Sequence, residues 1–166
     1  MRSGDFVPML SKPMTAAEKK KAAPIADRAI AHQLEQAKAV AHPDLKAVYA
    51  EEAGNLLVIR RALAGHPRGD EPDTQKLADK VKGLLNEIVD LRIGGMKSLA
   101  ANPGGPDAIR EGENQAGSLK IDLQRVYRFG FEPPTVDINA LDQAIKKAVV
   151  DGVLGRSGSG RGWSPP

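Results

Sequence analysis

The sequence predicts an all-α fold, an irregular bundle of four to five helices with extended N- and C-terminal arms. Three observations carry this. The apolar content is 41% but only 4% of residues are aromatic, so the core must be built from Ala, Leu, Ile and Val, which suits closely packed helices better than a sheet sandwich. Apolar residues recur at i, i+3, i+4 and i+7 in several separate segments, and no segment alternates with period two. Pro/Gly clusters fall between these segments, where chain reversals belong.

At 166 residues the chain supports one modest core. Residues 1–14, with Gly4, Pro8 and Pro13, read as an extended arm. Thr15 to Glu18 forms a capping box that opens the first helix; Ala26, Ile30, Gln33, Leu34, Ala37, Val40 and Ala41 keep helical spacing beyond Pro24, and Pro43 stops the run at His42. Pro43-Asp44 starts a second helix with an inward stripe of Leu45, Val48, Tyr49, Glu52, Leu56, Ile59 and Leu63, capped at Gly65. Asp73 caps a third, with Leu77, Val81, Leu84, Leu85, Ile88 and Leu91 inward, and Gly94-Gly95 interrupts or ends it. Residues 102–106, Asn-Pro-Gly-Gly-Pro, form a hinge. A fourth helix is expected from about Ala116 to Phe129, because Gly112 and Gly117 weaken what precedes and follows its start. The last helix is capped by Asp137 or Asn139, buries Ile138, Leu141, Ile145, Ala148, Val149 and Val153, and ends at Gly155. The helical domain thus spans 15–155, and 156–166 is a Gly/Ser/Arg-rich tail.

Composition narrows the chemistry. Without cysteine there is no disulfide, thiolate metal site or cysteine nucleophile. No apolar run approaches a membrane span, and Phe6 to Leu10 is too short and proline-broken for a signal peptide, so the expected setting is intracellular or a virion particle, without a membrane partner. His32, His42 and His66 lack the spacing of a metal pair. The glycines form no phosphate cradle, and Ser157 and Ser159 sit in a linker that lacks a nucleophile-elbow pattern. Asp70, Glu71 and Asp73 are accounted for by a loop and a helix start. No catalytic residue, cofactor or metal is expected.

The termini carry the remaining signal. Trp163 is the only tryptophan and lies in the Gly-rich tail; Phe6, Val7, Met9 and Leu10 place apolar residues in the other arm. Exposed in isolation such side chains gain nothing, whereas against a neighbour they anchor. The expectation is a non-enzymatic structural or adaptor subunit, docking through helix faces and arms onto protein subunits in a homo-oligomer or larger complex. Helical bodies with arms occur in ring-forming virion components and in other large assemblies, an analogy of architecture that licenses no mechanism. The alternative is a small helical nucleic-acid-binding protein. Its contacts would be the Lys19, Lys20 and Lys21 triplet with Arg156 and Arg161, on a chain of net charge +3 whose ends are basic.

Overall fold

The computed structural model describes residues 2–6, 13–64 and 72–159. Among them are a 3-10 turn, Ser3–Phe6, and five α-helices: α1 Ala16–Lys38, α2 Pro43–Leu63, α3 Pro72–Ala101, α4 Asp107–Arg128 and α5 Ile138–Ser159. There is no strand among the described residues, so the fold is all-α. Two compact units divide the chain, Met1–Ile88 with Gln124–Pro133, and Val89–Leu123 with Pro134–Pro166.

In the first unit, the Thr15 hydroxyl accepts from the Glu18 N–H and the Glu18 carboxylate accepts from the Thr15 N–H, so both halves of the capping box form. The helix then runs unbroken through Pro24 and stops at Lys38. It ends earlier than the sequence suggests because His42 serves the next helix: its Nδ1 accepts from the Asp44 N–H at 3.1 Å, with Pro43 in the first turn. A link of four residues makes α1 and α2 an antiparallel hairpin, and the contacts agree. Arg60 late in α2 pairs with Asp27 in mid-α1 at 2.7 Å, while Lys46 early in α2 donates to the Ala37 carbonyl late in α1 at 2.8 Å.

The inward face of α2 departs from the expected stripe. Leu56, Ile59 and Leu63 are buried, but Leu45 and Val48 point outward. Their places are taken by Lys46, Ala47, Ala50, Ala53 and Gly54, with Leu57, Arg60 and Arg61 further along. Small residues let α1 and α2 approach closely, and the buried cations are satisfied by a carbonyl or a carboxylate, which lowers the cost of burying them. Counting hydrophobic residues misses such a face.

The 3-10 turn is folded onto this hairpin where an extended arm was expected. Asp5 accepts from the Arg2 N–H at 2.7 Å and closes the turn, and both the N–H and the hydroxyl of Ser3 donate to Glu52.

In the second unit, α3 passes Gly94 and Gly95 without a break, because Met96, fully buried, continues the stripe of Leu85, Ile88, Val89 and Arg92. Arg92 occupies the register position that the sequence reading gave to Leu91, which is exposed. Residues 102–106 form the turn between α3 and α4, with Gly104 at φ +72°. The fourth helix begins at Asp107, well before Ala116, since its buried stripe of Ala108, Gly112, Ala116 and Leu119 is written mostly in small residues. Gly112 gives a close approach there: a Cβ would stand 2.9 Å from Ile145 Cδ1 of α5, so that terminal methyl would have to shift. The final helix runs past Gly155 to Ser159; Gly155 lacks the positive φ of a helix-ending cap, and Val153 is exposed.

Candidate functional site

Among the described residues a dense cluster of aromatic and charged side chains lies at the C-terminal end of α4. Of three phenylalanines, two tyrosines and one tryptophan, Tyr127, Phe129 and Phe131 fall within five residues. Gly130, at φ +87°, ends the helix in a Schellman motif: the Phe131 N–H donates to the Val126 carbonyl and the Gly130 N–H to the Tyr127 carbonyl, at 3.1 and 3.0 Å. This reversal sends Phe129 inward against Gly54 of α2 and turns Phe131 back beside Arg61. The buried Arg61 guanidinium donates to the Phe129 carbonyl at 2.7 Å and lies 5.4 Å from the Phe131 ring centre; Arg128 stacks on Phe129 at 4.8 Å. What remains open is a groove of about 540 Å³ lined by Val58, Arg61, Tyr127, Arg128, Phe131 and Pro133, with Tyr127 75% exposed. Aromatic faces, a proline ring and fixed guanidinium groups line it, a chemistry suited to contact with apolar or aromatic groups. The sequence reading did not single it out, although the local concentration of aromatics was there to be counted.

Glu51 of α2 accepts from both Arg125 and Arg128 and fixes the end of α4 to α2. Partial burial pushes its pKa up, but the hydrogen bonds and charges of the two arginines outweigh that and hold it below the ordinary glutamate value. The stability this group contributes is therefore fully present above the usual glutamate range and is lost as pH falls through the depressed value. Glu51→Gln is expected to lower the urea midpoint at neutral pH, with the gap to wild type narrowing in acid, as pH falls below the ordinary glutamate range. An equal gap at both pH values would remove the carboxylate from this account.

A second groove, of about 210 Å³, lies between α1 and α3. Its floor is Ala31, Leu34, Leu77 and Leu84, and its walls carry Glu35 and Lys38 on α1 and Lys80 and Glu87 on α3. A third surface lies toward the end of α5, where Val150 and Leu154 are exposed at i, i+4 spacing beside the buried line of Ile145 and Val149, and Val153, which continues that line, is exposed as well.

Among the described residues, those singled out from sequence are not gathered into one site. Lys20 and Lys21 are exposed and Lys19 half-buried around the first turns of α1, spread about the helix and not aligned. Phe6 ends the 3-10 turn, and Arg156 lies in the last turns of α5. Val7, Met9, Leu10, Arg161 and Trp163 lie outside the described residues. Among the described residues no group of three His, Asp or Glu could hold a metal, and no helix is long and apolar enough to cross a membrane. No protein-family model matches the chain, and neither a curated protein nor a solved structure shows significant similarity to it.

Proposed function

We propose that this chain is a non-enzymatic structural or adaptor subunit of a larger, virion-like protein assembly, docking through helix faces and terminal arms. The observation that carries the reading is the cluster of exposed apolar residues toward the end of α5. Ile145 and Val149 are buried, while Val150, Val153 and Leu154 are turned to solvent, with 52%, 45% and 64% of their surface exposed. An isolated helix end gains nothing from such a stripe, whereas a neighbouring subunit would remove it from water. The stripe leads toward the tail that carries Trp163, so helix face and tail form one continuous stretch of sequence for docking.

Val150→Glu with Leu154→Glu tests this in the full chain, because both positions are solvent-facing and leave the buried side of α5 intact. The double variant is expected to keep its helix content and lose the higher-mass species in sedimentation velocity. In the wild type, Trp163 emission should move to shorter wavelength as concentration rises and assembly proceeds. Unchanged assembly of the variant, together with a Trp163 spectrum that never shifts, would remove the reading. The nucleic-acid alternative separates in the same experiment. It expects co-sedimentation with DNA or RNA that weakens steeply with salt and disappears when Lys19, Lys20, Lys21, Arg156 and Arg161 are all replaced by glutamine.

A further inference from the structure

We infer that the aromatic groove at the end of α4 receives the segment Gly160 to Pro166 of a second copy of this chain, with Trp163 seated against Tyr127 and Phe131. This rests on the assembly reading above and deepens it by naming the surface that takes the tail.

The groove belongs entirely to the first unit, with Val58 and Arg61 supplied by α2 and residues 127–133 by the end of α4 and the turn beyond it. Its open wall is apolar. Val58 is 47% and Tyr127 75% exposed, and Phe131 and Pro133 beside them are half-buried. Phe129 faces away from this opening, onto Gly54. A volume of about 540 Å³ is of the size that takes one large aromatic ring with a proline beside it.

Residues 7–12, 65–71 and 160–166 lie outside the described residues, and their chemistry differs. Residues 65–71 are polar. Residues 7–12 bring no aromatic ring, and they are anchored on both sides within their own chain, by Ser3 on Glu52 and by the Thr15 cap of α1. Residues 160–166 bring an indole and two prolines, and seven residues reach at most about 23–25 Å from the last turn of α5. Each proline restricts the residue before it to extended backbone, so little freedom is lost on docking, which is why aromatic-lined grooves suit such segments.

The charges agree. Three charged residues line the groove: Arg61, Arg128 and Glu132. Arg61 is buried and donates to the Phe129 carbonyl, and Arg128 is held by Glu51, so both cations are engaged within the fold. Glu132 is exposed and makes no hydrogen bond or ion pair among the described residues. Residues 160–166 carry one charge, Arg161, and no acid. In extended backbone residues two apart face the same side, so Trp163 in the groove brings Arg161 to the rim where Glu132 stands. An exposed pair of this kind sets orientation, while the indole supplies most of the affinity. Groove and tail are different surfaces, so the contact is heterologous: each copy offers one of each, and successive copies join head to tail into a ring or a filament.

Two complementary full-length chains test this. One carries Tyr127→Ala with Glu132→Arg and keeps its tail; the other carries Arg161→Gly with Trp163→Gly and keeps its groove. Both groove positions are exposed, so helix content should not change. Trp163 is the only tryptophan, so in a mixture its emission reports the first chain's tail alone. The emission should move to shorter wavelength when the second chain is added and should stay solvent-like in the first chain by itself. A mixture without the shift overturns the proposal, and so does a shift already present in the first chain alone, which would bury the tail elsewhere. Adding Tyr127→Ala to the second chain should weaken the mixed complex at least ten-fold, and equal affinity would overturn the proposal. Should the first chain fail to fold, a synthetic Gly160–Pro166 peptide titrated into the second reports the same contact. The natural peptide should bind at least three-fold more tightly than its Arg161→Glu form, and Glu132→Arg in the protein should reverse that order. Peptides that bind equally, or not at all, would overturn the proposal. The two readings fail separately. Higher-mass species that vanish in Val150→Glu/Leu154→Glu, with no shift in the mixture, leave the assembly reading standing and remove this groove. A shift in the mixture with higher-mass species untouched by Val150→Glu/Leu154→Glu supports the groove and takes the α5 face out of the assembly.

Discussion

Gly54→Ala is expected to destabilise the protein by about 2 kcal/mol, even though alanine is the better helix former. On an exposed helix that exchange stabilises by about 1 kcal/mol. Here the added methyl would overlap three carbons of the Phe129 ring, which is 2% exposed and held by the Schellman turn that follows it. Overpacking of a closed site costs about 1–3 kcal/mol, and an overlap this deep belongs at the upper end or beyond, so the clash outweighs the propensity gain. The sign should reverse when the ring is removed. In a Phe129→Ala background, itself destabilised by about 3–5 kcal/mol, Gly54→Ala should become neutral or stabilising. Urea unfolding of the four-member cycle measures this. The same penalty in both backgrounds would mean that the ring does not rest on Gly54.

The buried pair Arg92 and Asp122 carries the other large expected effect. The two side chains are each 4% exposed and meet at 3.0 Å, joining α3 to α4 inside the second unit. Taking both charges out of water is costly, and their attraction roughly offsets that cost. Removing one partner leaves the desolvation cost of the other without its compensation. Arg92→Met should therefore lose about 3–5 kcal/mol, whereas Arg92→Met with Asp122→Leu should return close to wild type. Thermal unfolding of both variants decides it, and a double variant no more stable than the single one would show that the pair does more than balance itself. Such a result would point to the pair fixing the register of α3 on α4.

Much of the fold was legible in the sequence. The capping box at Thr15, the Pro43 start and the turn at 102–106 have local causes, and local causes can be read from neighbours in the chain. Inward faces were harder to read wherever the core is not greasy. Lys46, Arg60, Arg61 and Arg92 face inward because a carbonyl or carboxylate from another helix awaits each of them, and no one-dimensional pattern records that. The early half of α4 was missed for the converse reason. Ala108 and Gly112 form its packing face, and small residues signal weakly in any hydrophobic periodicity. The aromatic groove needed a positive φ at Gly130 to bring Phe129 and Phe131 onto α2, a contact across more than seventy residues that spacing alone does not suggest.

That same separation sets an order of events when the chain folds. The α1–α2 hairpin closes a loop of only four residues, so its ordering entropy is small and its contacts can form early. The clasp of Phe129 on Gly54, with Glu51 gripping Arg125 and Arg128, must wait until α3 and α4 have been laid down and the far end of the chain has returned. A late-forming clasp contributes little to the folding barrier and much to the barrier against opening. Loosening it would leave the refolding rate nearly unchanged and hasten unfolding, so the lifetime of the native state rests on five residues near the middle of α2 and the end of α4.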